Sequence, residues 1–282
     1  MLVSEQAHAK INLALHIMGR RADGYHELDS IVAFAAVADV LTMAPGDSVT
    51  LDITGPFAGD LPRDGTNSVL SAWRLLDGFL TQNGAALAPT KFNLEKNLPV
   101  ASGIGGGSAD AAAALRGLIR LFDLSVSGQD LNGLALQLGA DVPVCLRQES
   151  SRMTGIGEII EPIGLDIPSA IVLVNPRIPV PTSRVFESLN LQCGQSFGAA
   201  IGNVYDIENW RNDLTAPAVT LVPEIADVIG SLIFQPDIAC ARMSGSGATC
   251  FGLFEGPEKA QIAADAIAEK HPGWWVAATT LI

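Results

Sequence analysis

The stretch "LPVASGIGGGSADAAAAL", residues 98–115, decides how the rest of the chain is interpreted. Four of the five residues at 103–107 are glycine, and apolar residues at helical spacing follow them: Leu115, Leu118, Ile119 and Phe122. Glycines allow backbone N–H groups to face a ligand, and a helix that starts there adds the positive end of its dipole. The stretch therefore predicts a loop that leads into an amphipathic helix and favours a bound phosphate, while a tight turn needed only for packing stays an alternative.

The two best-known phosphate motifs do not fit this loop. A Walker A loop needs Gly-Lys followed by Ser or Thr, and the sequence contains no Gly-Lys pair. A dinucleotide fingerprint requires glycine at the position that Ser108 occupies. If the loop binds phosphate, it therefore does so in another family of proteins.

Two further polar positions are candidates for chemistry. Asp141, in "GADVPV" (139–144), follows a predicted helix that ends at Gly139, so it is either a cap or a general base. Lys10 and Asn12 share one face of the alternating strand "AHAKINLALHI" (7–17). A lysine beside an aspartate keeps the carboxylate ionised and stabilises phosphoryl charge, although a solvated lysine is the simpler interpretation.

Two turns also stand out. "DGYH" (23–26) contains an Asp-Gly pair typical of a hairpin, and its Tyr-His pair is suited to stacking on a flat base. "MSGSGATCF" (243–251) is a second Gly/Ser turn between apolar strands. Two such loops in one chain favour a polar ligand that fits closely between them.

Strand and helix patterns alternate along the chain and predict a two-domain α+β protein. Strands are expected in the segments 7–17, 30–43, 47–54 and 91–100, and helices after Asn67, after the glycine loop and before Gly139. Turn formers near 150–165 place the boundary, giving domains 1–155 and 156–282. The second domain is expected to contain a buried strand at 169–176, a strand–turn–strand at 237–254, a helix from Pro257 and a final strand.

Composition limits the class of partner. The net charge of −13 over 282 residues argues against nucleic acid or an anionic membrane, because a phosphate backbone would be repelled. No apolar run reaches the ~20 residues of a membrane span, and the first residues do not form a secretory signal. The four separated cysteines are interpreted as reduced thiols, so a cytoplasmic small-molecule enzyme or binder is expected.

Taken together, these motifs resemble the GHMP small-molecule kinases, a family named for galactokinase and the homoserine, mevalonate and phosphomevalonate kinases. "PVASGIGGGSADAA" (99–112) resembles their phosphate loop, and "MSGSGATCF" resembles their C-terminal glycine motif. "AKINLALHIMGRRADGYHELDSIV" (9–32) and "GADVPV" resemble one branch, which phosphorylates a cytidine-diphosphate-linked methylerythritol in the non-mevalonate route to isoprenoid precursors. "MTGIGEII" (153–160) and "ENWRNDL" (208–214) follow in the same order, so the resemblance covers the whole chain.

The resemblance implies a fold and a nucleotide site. The N-terminal domain would be of the ribosomal-protein-S5-like α+β type and the C-terminal domain ferredoxin-like, with the active site in the cleft between them. The ATP phosphates would be bound by the segment that follows Pro99, through these residues: Gly103, Gly105, Gly106, Gly107, Ser108 and Ala109. Ala109 stands where relatives often have serine, and no glutamate suggests itself as a metal ligand, so Mg²⁺ would arrive with ATP and water.

The resemblance also implies catalytic and acceptor residues. Asp141 would be the general base for the C2 hydroxyl of the methylerythritol unit, with Lys10 beside it and Asn12 orienting the pair. Four residues would surround the cytosine ring: Tyr25 by stacking, His26 by hydrogen bonds, Phe186 on the other face and Thr182 along the pocket. Gly245, Ser246 and Gly247 would close the cleft near the phosphates, and the protein would be a monomer or a weak homodimer.

Two other functions remain open at this point. Another GHMP kinase, of the homoserine or mevalonate type, would share the catalysis and differ in the acceptor, but a small acyclic acceptor needs no aromatic sandwich. A non-catalytic ligand sensor of the same fold would not need both Lys10 and Asp141.

Overall fold

The computed structural model describes all residues, 1–282, and contains ten strands and eight α-helices. The strands are β1 (Val3–Arg20), β2 (His26–Pro45), β3 (Thr50–Thr54), β4 (Thr90–Glu95), β5 (Ser151–Gly155), β6 (Ile159–Pro162), β7 (Ala170–Asn175), β8 (Ile238–Met243), β9 (Cys250–Phe254) and β10 (Trp275–Thr280). The helices are α1 (Ser68–Gln82), α2 (Gly106–Leu121), α3 (Gly128–Leu138), α4 (Val142–Arg147), α5 (Thr182–Glu187), α6 (Thr215–Leu221), α7 (Glu224–Ile233) and α8 (Pro257–Lys270). The mixed α+β class predicted from the sequence is confirmed.

The chain divides into two compact units that are not continuous in sequence. Unit 1 contains Met1–Ala9, Ala38–Val100 and Gly105–Gln148. Unit 2 contains Lys10–Val37, Ala101–Ile104 and Glu149–Ile282. The long strands β1 and β2 contribute residues to both units. The domain boundary at 155/156 was drawn along the sequence alone and stays a prediction.

Unit 1 combines a strand ladder with four helices. The C-terminal half of β2 pairs antiparallel with β4, and β3 pairs parallel with the other edge of β4. Helix α1 starts where the sequence predicts, because the Asn67 side chain accepts a hydrogen bond from the Val69 N–H and caps the helix. Gly139 ends α3, also as predicted. Strand β4 stops at Glu95, earlier than the apolar pattern through Val100 suggests.

Unit 2 contains a four-stranded antiparallel sheet in the order β10-β7-β9-β8. Helices α7 and α8 pack against this sheet, so the chain follows the β-α-β-β-α-β order of a ferredoxin-like fold. Every residue of the central strand β7 is buried, which explains the continuous apolar run "AIVLVN". The N-terminal half of β2 pairs with β5 in the same unit, and β5 pairs with β6.

Strand β1 differs from its prediction on one face. A solvated Lys10 is the simpler interpretation of the alternation, but Lys10 and its neighbours on that face, Asn12 and His16, are each less than 5 % exposed. Both faces of the strand are covered, so its polar side chains must find partners inside the protein. The alternation in the sequence therefore marks buried polar residues here rather than a face open to water.

Candidate active site

The first glycine of the loop, Gly103, is required by close backbone packing within unit 2. Gly103 has φ +78°, and a Cβ on it would lie 2.5 Å from the carbonyl oxygen of Ser244. Gly245 faces it with φ +54°, and its Cβ would lie 2.6 Å from the Gly103 carbonyl oxygen. The two Gly/Ser loops singled out in the sequence therefore meet backbone to backbone, at a distance that admits no side chain at either position.

Side chains and backbone groups join these two loops to β1. The Ser244 hydroxyl donates to the Gly103 carbonyl at 3.0 Å and accepts the Asn12 backbone N–H at 3.0 Å. The Lys10 N–H donates to the Ile104 carbonyl at 3.0 Å, and the Thr249 N–H donates to the Ser102 carbonyl at 2.9 Å. The strand that carries the predicted catalytic residues is thus bonded directly to both glycine loops.

The later glycines lie in unit 1 and begin helix α2. Gly105 is the N-cap residue and has a left-handed conformation, with φ 65°. Because glycine has no side chain, it cannot donate or accept a capping hydrogen bond. The first N–H groups of a helix have no partner within it, and in α2 they belong to Gly106, Gly107 and Ser108. A Cβ on Gly107 would have nothing within 4 Å. This helix start is therefore an open, uncapped donor site suited to an anion.

A buried charge cluster supports the same helix start, and sequence reasoning missed it. Lys96 donates to Asp110 at 2.7 Å and also to Asp39, and all three side chains are at most 1 % exposed. The Asp39 carboxylate also accepts the backbone N–H groups of Asn97 at 2.6 Å and Leu98 at 2.8 Å. A Cβ on Gly106 would lie 3.2 Å from Lys96 Nζ, so the ammonium group lies next to the first turn of α2.

Asp110 is the member of this cluster whose negative charge is incompletely compensated. Burial raises its pKa to about 7, with the Asp39 charge acting in the same direction and Lys96 opposing it. Burial also lowers the proton affinity of Lys96, but the two carboxylates outweigh that effect and its pKa is raised. The Asp110 Oδ1 atom is buried without a hydrogen-bond partner. The sequence contained one sign of this cluster, a lone aspartate in the alanine run "SADAAAA". A carboxylate on a buried helix face requires a cation nearby, so Asp110 could have predicted a buried lysine or arginine partner.

Asn12 lies deep in unit 2 with one side-chain atom unused. Its Nδ2 donates to Ser30 Oγ at 2.8 Å, and the Ser30 hydroxyl donates to the Ala14 carbonyl at 2.6 Å. These bonds orient the amide and leave Asn12 Oδ1 buried with no partner. Buried polar atoms are nearly always hydrogen-bonded, so this unsatisfied amide oxygen is a candidate acceptor for a hydrogen bond from a ligand.

Asp141 lies at the start of α4 in unit 1. It is the N-cap residue, half-buried, and its carbonyl accepts the Cys145 N–H at 3.2 Å. Pro143 in the first turn removes a donor that has no partner within the helix in any case. Lys10 belongs to unit 2, so the pairing of Lys10 with Asp141 stays a prediction.

The residues predicted for the cytosine ring lie together in unit 2. The rings of His26 and Phe186 are 5.0 Å apart at an angle of 39°. His26 Nε2 is buried and has no hydrogen-bond partner, and burial, with the charge of Arg20, lowers the pKa of this imidazole. Tyr25 lies in the turn before it and is 61 % exposed. Thr182 and Ser246 share a hydrogen bond of 2.8 Å between their hydroxyls.

No cluster of three or more His, Cys, Asp or Glu side chains in the structure could hold a metal ion. The paired carboxylates Asp39 and Asp110 are engaged by Lys96 and are therefore not available to a cation. No helix has the length and apolar character that crossing a bilayer requires. Unit 1 thus provides a helix start suited to an anion, and unit 2 provides buried polar groups on β1 and an aromatic pair, His26 and Phe186.

Comparison with known proteins assigns these features to a class. The model of the GHMP kinases N terminal domain matches residues 67–149, and that of the GHMP kinases C terminal domain matches residues 187–273. A solved homoserine kinase from Cytophaga hutchinsonii shares the fold, with a TM-score of 0.71 at 19 % identity over 99 % of this chain and 95 % of that chain. The fold and the two glycine loops therefore define a GHMP kinase.

Closer relatives narrow the class. A 4-diphosphocytidyl-2-C-methyl-D-erythritol kinase of Bradyrhizobium is 46 % identical over 99 % of this chain and 97 % of the relative. One from Cereibacter sphaeroides is 48 % identical over 98 % of each chain. A crystal structure of 4-(cytidine 5'-diphospho)-2C-methyl-D-erythritol kinase has a TM-score of 0.82 at 33 % identity, covering 99 % of both chains. The chain belongs to the 4-diphosphocytidyl-2-C-methyl-D-erythritol kinase family.

Proposed function

We propose that this protein transfers the γ-phosphoryl group of ATP to the C2 hydroxyl of 4-diphosphocytidyl-2-C-methyl-D-erythritol. The observation that carries the proposal is the similarity to kinases of that name over nearly the full length of the chain. The second candidate acceptors, homoserine and mevalonate, find support only in structures below 25 % identity, which share the fold and no more.

The helix start of α2 binds the nucleotide in this proposal. The N–H groups of Gly106, Gly107 and Ser108 donate to phosphate oxygens, and the helix dipole favours their negative charge. Lys96 Nζ lies next to this first turn, but its charge is compensated by Asp39 and Asp110, so the N–H groups and the helix dipole provide the attraction for the phosphates. The protein has no cluster of three or more His, Cys, Asp or Glu side chains that could hold a metal ion, so Mg²⁺ would be bound mainly through the ATP phosphates, where it would supply charge neutralisation.

The transfer step requires a base and a cation at the reacting oxygens. The C2 hydroxyl oxygen forms a bond to the γ-phosphorus while the bond from that phosphorus to the β–γ bridging oxygen breaks, and ADP leaves. Asp141 accepts the hydroxyl proton, and Lys10 stabilises negative charge on the phosphoryl group in transfer. Asn12 Oδ1, which is buried and has no partner within the protein, accepts a hydrogen bond from the substrate that receives the phosphoryl group.

Three aromatic residues of unit 2, Tyr25, His26 and Phe186, favour this substrate over a small acyclic one. Phe186 and the exposed Tyr25 offer ring faces to a pyrimidine, and His26 Nε2 offers an unused hydrogen-bonding atom. Homoserine and mevalonate contain no ring that would use these groups. The proposed partners are therefore the two small-molecule substrates, the protein acts as a monomer or a weak homodimer, and its four free thiols suit the reducing cytoplasm.

Coupled ADP-release assays on an acceptor panel test the proposal. We expect turnover with the diphosphocytidyl-methylerythritol acceptor and little or none with homoserine or mevalonate. ATP binding without ADP release on any acceptor would favour a ligand sensor and overturn the proposed reaction.

The Asp141→Asn variant tests the base. Loss of a general base is expected to lower kcat by about 10²–10⁴-fold, because the amide does not accept the proton, while the Kd for ATP changes little. Asp130→Asn on the exposed face of α3 is the matched control and should keep full activity. Wild-type kcat in Asp141→Asn would remove Asp141 from the mechanism.

A further inference from the structure

The segment "ENWRNDL" (208–214) has no role in the proposed reaction, yet it lies directly against the parts that do. It runs beside β1, where the Leu15 N–H donates to the Arg211 carbonyl at 2.8 Å and the Asp213 N–H donates to the Leu15 carbonyl at 2.9 Å. On its other side, Arg242 of β8 donates to the carbonyls of Trp210 at 2.8 Å and Ile207 at 2.6 Å. The segment is thus fixed to two strands of unit 2 at the point where Asn212 lies between them.

The Asn212 side chain extends from this fixed backbone to the Gly/Ser turn. Its Nδ2 donates to two carbonyls, those of Met243 and Gly245, each at 2.8 Å. Its Oδ1 accepts the Leu214 N–H at 3.0 Å, which orients the amide so that both of its protons face the turn. The residue is 9 % exposed, so water does not compete strongly for these bonds.

The same turn is fixed from the opposite direction by Ser244. The Ser244 hydroxyl accepts from the Asn12 N–H and donates to the Gly103 carbonyl, as described above. Three backbone bonds involve the residues after Ser244: Gly247 N–H to the Ser244 carbonyl at 3.0 Å, Ser244 N–H to the Thr249 carbonyl at 2.9 Å, and Thr249 N–H to the Ser102 carbonyl at 2.9 Å. Gly245 and Ser246 take part in none of them. Since Gly245 and Gly247 both have positive φ and no side chains, the path of the turn depends on bonds supplied from outside it.

We propose that Asn212 is a positioning residue, which holds the turn at Gly245–Gly247 in its reactive conformation. It does so by donating hydrogen bonds to the carbonyl of Met243, just before the turn, and to the carbonyl of Gly245 within it. The inference rests on the proposed function, in which this turn closes over the reacting groups. An amide is required because two carbonyl acceptors need two protons from one atom. An aspartate of the same shape would present a negative oxygen to both carbonyls and repel them.

Three substitutions test the proposal by kinetics. Asn212→Ala and Asn212→Asp remove both bonds to the turn, and Asn212→Ser keeps an acceptor for the Leu214 N–H while donating to one carbonyl at most. We expect kcat to fall about tenfold, comparable to one or two lost hydrogen bonds, with the KM for ATP within about twofold of wild type. The nucleotide anchor, the start of α2, lies outside the turn, which is why kcat and KM should separate. Asn209→Ser is the matched control, because the side chain of this exposed neighbour donates to the Asp206 carboxylate and not to the turn.

Hydrogen exchange tests the same proposal without any substrate. Exchange at residues 244–249 should be faster in Asn212→Ser than in wild type or Asn209→Ser, and exchange in β7 should be unchanged. The exchange measurement remains informative if wild type is inactive on the acceptor panel. That outcome would overturn the proposed function but not the role of Asn212. Wild-type kcat together with unchanged exchange in a folded Asn212 variant would overturn the inference. So would failure of all three variants to fold, because Asn212 would then be a support of the whole unit.

Discussion

At the level of a single residue, Asp110 is incompletely compensated, since two buried carboxylates share one ammonium group. Lys96 cannot fully compensate both Asp39 and Asp110, and the Asp110 Oδ1 atom has no partner at all. Protonation of Asp110 relieves the cluster, and its pKa is accordingly raised to about 7, by burial first and by the Asp39 charge second. Asp39 differs from Asp110 in that its carboxylate also accepts two backbone N–H groups.

This shift makes the stability of the protein depend on pH. Between the ordinary carboxyl pKa of 3.8 and about 7, folded protein binds a proton at Asp110 that unfolded protein does not, so stability falls as the pH rises through that window. Asp110→Asn has no such proton to lose. Relative to this variant, wild type should lose about 2–3 kcal/mol between pH 5 and pH 8. Urea unfolding of both proteins across that range provides the measurement, and parallel curves would contradict the assignment.

At the scale of elements, the glycine loop separates into two parts with different physical requirements. Gly103 has a positive φ and faces the Ser244 carbonyl at a distance that excludes a methyl group. Gly107 is in helical conformation with open space where a side chain would extend. The first therefore serves the assembly of unit 2, and the second keeps the start of α2 accessible.

The same substitution at these two positions should give opposite results. Gly103→Ala is expected to lower the free energy of unfolding by at least about 1–2 kcal/mol, from the left-handed backbone and the collision with Ser244. Gly107→Ala should leave stability equal or raise it by up to about 1 kcal/mol, and weaken ATP binding by obstructing the phosphates. Denaturant unfolding and nucleotide titration of the pair decide this. Equal stability losses would show that the loop behaves as one structural turn.

For the whole molecule, the net charge of −13 is the dominant long-range property. Surface ion pairs such as Arg184–Glu187 are largely exposed and contribute little. Self-repulsion should therefore lower stability at low ionic strength, and salt should screen it within about 10 Å at 0.1 M.

Thermal unfolding in increasing potassium chloride tests this expectation. At pH 7.5 the Tm should rise by a few degrees between about 10 mM and 200 mM salt. At a pH near the isoelectric point, about 4.6, the dependence should nearly vanish. A Tm that falls with salt at neutral pH would show that attractive ion pairs outweigh the net charge.

The sequence by itself determined the elements and the family of this protein. The Asn67 cap, the end of α3 at Gly139 and the strand–turn–strand around Ser244 follow from local rules, because caps, turns and periodicity act over a few residues. The glycine loops and "DGYH" were enough to recognise the kinases by resemblance, and the relatives confirm that recognition.

Only the tertiary structure decided which polar residues are buried and with which partners. Lys96 and Asp39 are 57 positions apart, and Asn12 and Ser244 are 232 apart, so no local pattern relates them. The role of Gly103 likewise depends on a turn contributed from far along the chain. Hydrophobic periodicity specifies which face of a strand or helix is covered, but charge pairing, unsatisfied amides and backbone-to-backbone packing depend on segments that meet only when the chain has folded.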